Sequence, residues 1–161
     1  NGPTWVDGVN GTAIRFDGSN DYVQLGTTNK YASNGQLTIA VWIRLDTLDT
    51  HHYIISNYDG GQFVDGDLNF GYGSNDDKLA FQMGQGSNAG IYYESNNTGE
   101  IVADRWYFLV GTYDESRDAQ DKVRFFIDGQ EIDFVRINGE HGNGDGNGGT
   151  VLDSSVNLRI G

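Results

Sequence analysis

The chain has 161 residues, enough for one domain with a hydrophobic core. Its net charge of −13 disfavours nucleic acid and anionic membrane surfaces as partners, because like charges repel. Cysteine is absent, which excludes disulfides, thiolate metal sites and cysteine nucleophiles. The 24 glycines, the single proline and the many aromatic residues favour short strands joined by tight turns.

Alternation of polar and apolar residues predicts most of the chain as strands. The segment 37–45 is the clearest case, because its odd positions are apolar and its even positions are mixed. The full set of predicted strands is 12–16, 22–25, 37–45, 53–56, 67–72, 78–83, 91–94, 106–113, 122–127, 131–135 and 157–160. Many short strands with regular turn signals predict an all-β sandwich or barrel.

Turn and loop signals separate these strands. Asp128-Gly129 predicts a tight hairpin, because glycine adopts positive φ at little cost. The charged segment 114–121 is predicted as a loop with room for one helical turn. The glycine-rich segments 87–90 and 139–149 are also predicted as loops, since they lack side chains that could form a core.

Five ordered segments resemble the laminin-G-like, or concanavalin A-like, jelly-roll family. They are Ala13–Val23 (AIRFDGSNDYV), Leu37–Ile43 (LTIAVWI), Arg105–Asp114 (RWYFLVGTYD), Val123–Gly129 (VRFFIDG) and Leu158–Gly161 (LRIG). The resemblance implies two antiparallel β-sheets packed face to face, with ligand-binding loops along one rim.

The resemblance also implies how much of a domain is present. We expect residues 1–161 to form a single laminin-G-like β-sandwich that lacks its terminal strand or strands. Family members usually continue past the final motif with another strand, and an earlier strand precedes the segment Gly2–Val6. We therefore expect a larger parent protein with flanking domains.

A calcium site is predicted at the turn that contains Asp17, Asn20 and Asp21. Calcium takes six to eight oxygen ligands, and this turn groups carboxylates, an amide and main-chain carbonyls. Similar modules often bind a structural calcium in this neighbourhood. The alternative is that Asp17 and Asn20 only form the turn and hydrogen-bond their own backbone.

One segment resembles the catalytic motif of retaining β-glucanases. Alternation would place Glu131, Asp133 and Val135 on one face of a strand, but Arg136 stands where the motif has its second Glu. The acid/base is therefore missing. We predict a non-catalytic protein, with a glycoside hydrolase or polysaccharide lyase as the least favoured alternative.

Aromatic and amide side chains outside the core pattern are candidates for sugar contacts. Since neighbouring residues on a strand face opposite ways, only one of Tyr92 and Tyr93 can lie in the core. Trp42 and Trp106 are expected to be structural, and the pair His51 and His52 is a weak metal candidate. The predicted carbohydrate-binding residues are His52, Tyr58, Asp59, Tyr72, Asn75, Asp76 and Tyr92.

These features together predict a secreted, lectin-like module, at the cell surface or outside a bacterial cell, that binds a polysaccharide or other glycan and is stabilised by calcium. The module would be part of a larger secreted enzyme or adhesin. The alternative is a structural or protein-interaction domain of a surface adhesin. No membrane insertion is expected, because no apolar run approaches the ~20 residues of a spanning helix.

Overall fold

A computed structural model describes residues 2–25, 35–58, 67–73, 77–84, 90–96, 98–137 and 157–161. Thirteen strands occupy these ranges: β1 (Thr4–Asp7), β2 (Thr12–Arg15), β3 (Val23–Gln24), β4 (Gln36–Ile43), β5 (His52–Ser56), β6 (Leu68–Gly73), β7 (Lys78–Gly84), β8 (Gly90–Ser95), β9 (Tyr107–Asp114), β10 (Val123–Ile127), β11 (Gln130–Ile132), β12 (Phe134–Arg136) and β13 (Arg159–Ile160). All of their pairings are antiparallel. The predicted all-β class is confirmed.

The strands form two larger sheets and a separate hairpin. The four-stranded sheet has the order β11-β10-β9-β4, and the seven-stranded sheet has the order β12-β8-β7-β6-β5-β13-β3. Strands β1 and β2 pair only with each other in the described structure. The predicted hairpin at Asp128-Gly129 joins β10 to β11, and both residues have positive φ.

The core lies between the inner faces of the two sheets, and period-2 alternation decides which residues enter it. In β9 every second residue from Tyr107 to Tyr113 is buried. The ring of Phe70 on β6 stacks on that of Phe125 on β10, with centroids 6.4 Å apart, so the sheets are in direct contact. Gly111 makes this approach possible, because a Cβ there would lie 2.9 Å from the Phe70 ring.

Three sequence expectations differ from the structure. Strand β1 was not predicted, and its Trp5 is 72% exposed. The predicted strand 131–135 is divided at Asp133 into β11 and β12, which belong to different sheets. The loop 114–121 contains hydrogen-bonded turns instead of a helical turn.

Trp42, which was expected to be structural, does not lie in the core between the sheets. Its neighbours at odd positions of β4 face the core, so Trp42 lies on the outer face of the four-stranded sheet and is 48% exposed. Alternation identified the two faces of β4 correctly, but the tryptophan belongs to the outer one.

Candidate ligand-binding groove

The outer face of the seven-stranded sheet carries a groove of about 240 Å³. Its floor is formed by strands β5, β6, β7 and β8, which are consecutive neighbours in the sheet. Because these strands direct alternate residues outward, cross-strand register aligns their outward side chains into rows that run across the strands. Two such rows define the groove.

The first row is small at its centre and larger at its ends. It runs from Tyr53 on β5 through Gly71 and Ala80 to Glu94 on β8. Gly71 cannot carry a side chain without rearrangement, because a Cβ would lie 2.5 Å from the carbonyl oxygen of His52. At its centre, the floor of the groove is therefore formed by the backbone and by small side chains.

The second row is polar. It runs from Ser56 through Asn69 and Gln82 to Tyr92. The Asn69 amide Nδ2 donates a 2.9 Å hydrogen bond to Gln82 Oε1, while the buried Asn69 Oδ1 has no hydrogen-bond partner among the described residues. A buried acceptor without a donor is costly, so this oxygen is suited to accept from a ligand hydroxyl.

Tyrosines stand at both sides of the groove. Tyr53 is 45% exposed and stacks with His51, with ring centroids 6.5 Å apart and an interplanar angle of 21°. On the opposite side, the Tyr92 hydroxyl donates to the Glu94 carboxylate, which fixes the tyrosine ring. Three strand spacings of about 4.8 Å place strands β5 and β8 roughly 14 Å apart, and the two tyrosines stand in different rows.

The groove contains one ion pair. Lys78 Nζ lies 3.5 Å from Glu94 Oε2, and both side chains are largely buried, with 22% and 12% exposure. This pairing leaves the groove nearly neutral within a strongly acidic protein. Glu94 is the only carboxylate that lines the groove within the described ranges.

The structure brings some of the predicted sugar-binding residues together. His52, Tyr58 and Tyr92 line the groove, and Tyr92 is the outward member of the pair, since Tyr93 is fully buried. Tyr72 borders the groove, but it is only 1% exposed and packs in the core, where burial raises the pKa of its hydroxyl to about 12. Its prediction as a sugar-contacting side chain is therefore corrected. Asp59, Asn75 and Asp76 lie outside the described residues.

Sequence reasoning did not select the central groove residues Asn69, Lys78, Gln82 and Glu94. Their positions at alternate sites of β6, β7 and β8 show that they face away from the core, but not that they meet. That follows only from the register between strands, which the chain's own alternation does not determine.

His52 combines burial with a position beside the groove. It pairs across the strands with Tyr72, and burial lowers the pKa of its imidazole. Its Nε2 is buried without a hydrogen-bond partner in the described structure. Within those same ranges, no group of three or more His, Cys, Asp or Glu residues is close enough to hold a metal ion, so the His51–His52 pair gains no support as a metal site.

The turn predicted to bind calcium is organised by its own backbone. Asp17 Oδ1 accepts hydrogen bonds from the main-chain nitrogens of Ser19 and Asn20, at 2.9 and 3.2 Å, and these bonds lower the pKa of the Asp17 carboxyl. Asp21 Oδ2 accepts from the main-chain nitrogen of Asp17. Asp21 Oδ1 is buried and has no hydrogen-bond partner in the described part of the chain. The described residues of this turn, like those beside His51 and His52, do not form a group of three or more His, Cys, Asp or Glu side chains that could hold a metal ion.

The glucanase-like segment lies away from the groove. Glu131 is in β11 of the four-stranded sheet, where it pairs with Arg124 at 3.4 Å, whereas Val135 is in β12 of the other sheet. The alternation that would have placed Glu131, Asp133 and Val135 on one face does not hold, because the strand is divided between them.

Comparison with known proteins agrees with this architecture. A laminin G model described as the concanavalin A-like lectin/glucanases superfamily matches residues 17–154. The chain belongs to this superfamily. Laminin-G-like domains are typically non-catalytic binding modules, although the superfamily also includes glycosidases. No curated protein matches the sequence.

Membership of this superfamily is consistent with the two antiparallel sheets of the described structure. In the part of the chain that is described, no helix is long and apolar enough to cross a membrane.

Proposed function

We propose that the groove on the seven-stranded sheet binds a neutral polysaccharide chain without cleaving it. The observation that carries this proposal is the pair of cross-strand rows, in which tyrosines flank a floor of glycine, alanine and amides. Sugar rings present apolar C–H surfaces and hydroxyl edges, so a glycan site combines aromatic faces with amide hydrogen bonds.

The rows suggest how a glycan would lie. Across the strands, Tyr53 and Tyr92 offer ring faces at the two sides, and Gly71 and Ala80 leave room for the glycan between them. Asn69 Oδ1 would accept a hydrogen bond from a sugar hydroxyl, which would relieve an unsatisfied buried acceptor.

The preference for a neutral glycan follows from charge. Lys78 and Glu94 neutralise each other, and no other Lys or Arg lines the groove among the described residues, so an acidic sugar would find no unpaired Lys or Arg there. The surrounding net charge of −13 would repel an anionic polymer.

We propose binding without cleavage because a single carboxylate lines the described part of the groove. Retaining and inverting glycosidases place two carboxyl groups about 5 to 9.5 Å apart across the scissile bond. Glu94 alone lines the described part of the groove, and its oxygens are engaged by Lys78 and Tyr92.

A panel of neutral and acidic polysaccharides, measured by titration calorimetry, tests the proposal. Wild-type protein should bind at least one neutral polymer, and Ala80→Trp should abolish binding because the indole fills the groove floor. Ala103→Trp is the matched control, since Ala103 is exposed in the turn before β9. Unchanged affinity in Ala80→Trp, or release of reducing sugar by the wild type, would refute the proposal.

A structural calcium at the Asp17 turn is a separate proposal. Asp21 Oδ1 would be a ligand, with main-chain carbonyls and water completing the shell. Calcium should then raise the melting temperature of the wild type, and Asp21→Asn should reduce that rise. Equal melting temperatures with calcium and with chelator would exclude the site.

We also propose that the module works outside the cell, attached to a larger secreted enzyme or adhesin, since its ligand would be an extracellular polymer.

The alternative, a protein-interaction domain of an adhesin, is favoured by one observation: the exposed Trp42 lies beside Phe108, with ring centroids 5.3 Å apart. Protein capture that added glycan does not inhibit would support this alternative.

A further inference from the structure

The groove has a backbone floor at two successive outward positions of one strand. Gly71 and Gly73 are alternate residues of β6 and both line the groove, so the floor has no side chain at these two positions. Two rings of β5 border the floor there. Tyr53 pairs with Gly71 across the strands, and a Cβ on Gly73 would lie 3.9 Å from the His51 ring. The floor and its aromatic border therefore run along β6.

The spacing of the two rings follows the strand. The centroids of His51 and Tyr53 lie 6.5 Å apart and their planes differ by 21°. This separation matches the rise of two residues in a strand, ~6.7 Å, so the rings succeed one another along β5. It is also close to the length of one sugar unit in an extended glycan. Each ring is thus placed to pack against a different unit of a chain that lies parallel to β5.

Larger side chains bound the groove in the direction across the strands. The row of small residues ends at Tyr53 on β5 and at Glu94 on β8. Glu94 is held by the Lys78 ammonium, 3.5 Å away, and by the hydroxyl of Tyr92. A glycan that crossed the strands would have to climb over the Tyr53 ring or break the ion pair, whereas one that follows β6 does neither.

The Asn69 oxygen that has no hydrogen-bond partner among the described residues lies over this floor. A Cβ on Gly71 would be 3.5 Å from Asn69 Oδ1, so the buried acceptor stands beside the next outward position of β6. The hydrogen bond from Asn69 Nδ2 to Gln82 Oε1 fixes the amide in this orientation. A sugar unit that rests on Gly71 can therefore donate a hydroxyl to Asn69 along the direction of the strand.

We propose that the groove binds an unbranched glycan lengthwise, with its axis along β6 and consecutive sugar units over Gly71 and Gly73. This inference rests on the proposed glycan-binding function. The unit over Gly71 packs on Tyr53 and donates a hydroxyl to Asn69 Oδ1. The next unit, over Gly73, packs on His51. A branch on either unit would meet the β5 rings on one side or the ion pair on the other, so the groove selects linear chains.

Titration calorimetry with cellotetraose, xylotetraose and mannotetraose, each beside a branched oligomer of the same backbone, tests the proposal. At least one linear tetramer should bind, and its branched counterpart should bind roughly tenfold more weakly. Gly73→Val should weaken the linear tetramer by roughly tenfold or more, because the new side chain occupies the floor under the second unit. A Cβ at Gly73 makes only ordinary contacts, so the fold tolerates this change. Gly2→Val is the matched control, since a Cβ there meets nothing within 4 Å.

A nitroxide at the reducing end of the bound tetramer locates its axis by broadening nearby amide resonances. Broadening should be strongest toward one end of β6, at Asn69 or at Gly73, and about equal at Tyr53 and Ala80, which flank the floor on β5 and β7. Broadening graded from β5 to β8, equal affinity for branched oligomers, or a Gly73→Val variant that binds like the control would overturn the lengthwise arrangement alone. Absence of binding by all three linear tetramers would overturn it together with the proposed function.

Discussion

The outer faces of the two sheets are built by the same alternation but have different chemistry. The outer face of the seven-stranded sheet carries amides, a largely buried ion pair and small floor residues between tyrosines. The four-stranded sheet exposes Trp42 on β4, with Phe108 of β9 packed beside it. A polar groove fits a hydroxyl-rich ligand, and an exposed aromatic face is typical of a surface that contacts another protein. The polar face therefore supports the proposed glycan binding, and the aromatic face supports the alternative of a protein-interaction domain.

Removal of an aromatic ring from each face should separate the two roles most strongly. Tyr53→Ala should lower the affinity for the neutral glycan about 30-fold, equivalent to about 2 kcal/mol, because an aromatic ring that packs on the ligand has a large share of the binding energy. Trp42→Ala on the other sheet should leave glycan affinity unchanged. Titration calorimetry measures both. An equal loss in the two variants would show that the effect comes from the fold and not from the groove.

The ion pairs of the two faces should differ in their contribution to stability. Lys78→Met leaves the largely buried Glu94 without its cation, so we expect the free energy of unfolding to fall by about 1 to 2 kcal/mol. Arg44 pairs with Asp46 at 3.8 Å where both side chains are more than 40% exposed, so Arg44→Met should cost less than about 0.5 kcal/mol. Urea denaturation provides the comparison, and equal losses would contradict the distinction.

The sequence was sufficient for the architecture but not for the site. Alternation located most strands and separated Tyr92 from Tyr93, because a half-buried strand must place neighbouring residues on opposite faces. It could not show that the alternating segment 131–135 crosses between sheets at Asp133, since the period continues through the break. It also gave no reason to expect the short β1, where Trp5 points to solvent.

The groove itself depends on information that alternation does not contain. Asn69 and Gln82 are thirteen residues apart, and they meet only because β6 and β7 pair in one register; a shift by one residue would point one of them into the core. Tyr72 is a different case, because alternation with Leu68 and Phe70 already places it on the inner face of β6, and only its residue type suggested a sugar contact.

The smallest predicted effect concerns His52, which lies where the groove meets the core. Burial lowers the pKa of its imidazole in the folded protein below the 6.5 of the unfolded chain. The folded state therefore favours neutral His52, and the associated stability is present above pH 6.5 and is lost as the pH falls toward the folded pKa. His52→Gln removes this dependence, so the unfolding free energy of the wild type should fall relative to that of the variant as the pH drops from 7 to 5.

His51→Gln is the control, because His51 is exposed beside Tyr53. If the wild-type and His52→Gln curves stay parallel over that range, the protonation of His52 is not linked to folding.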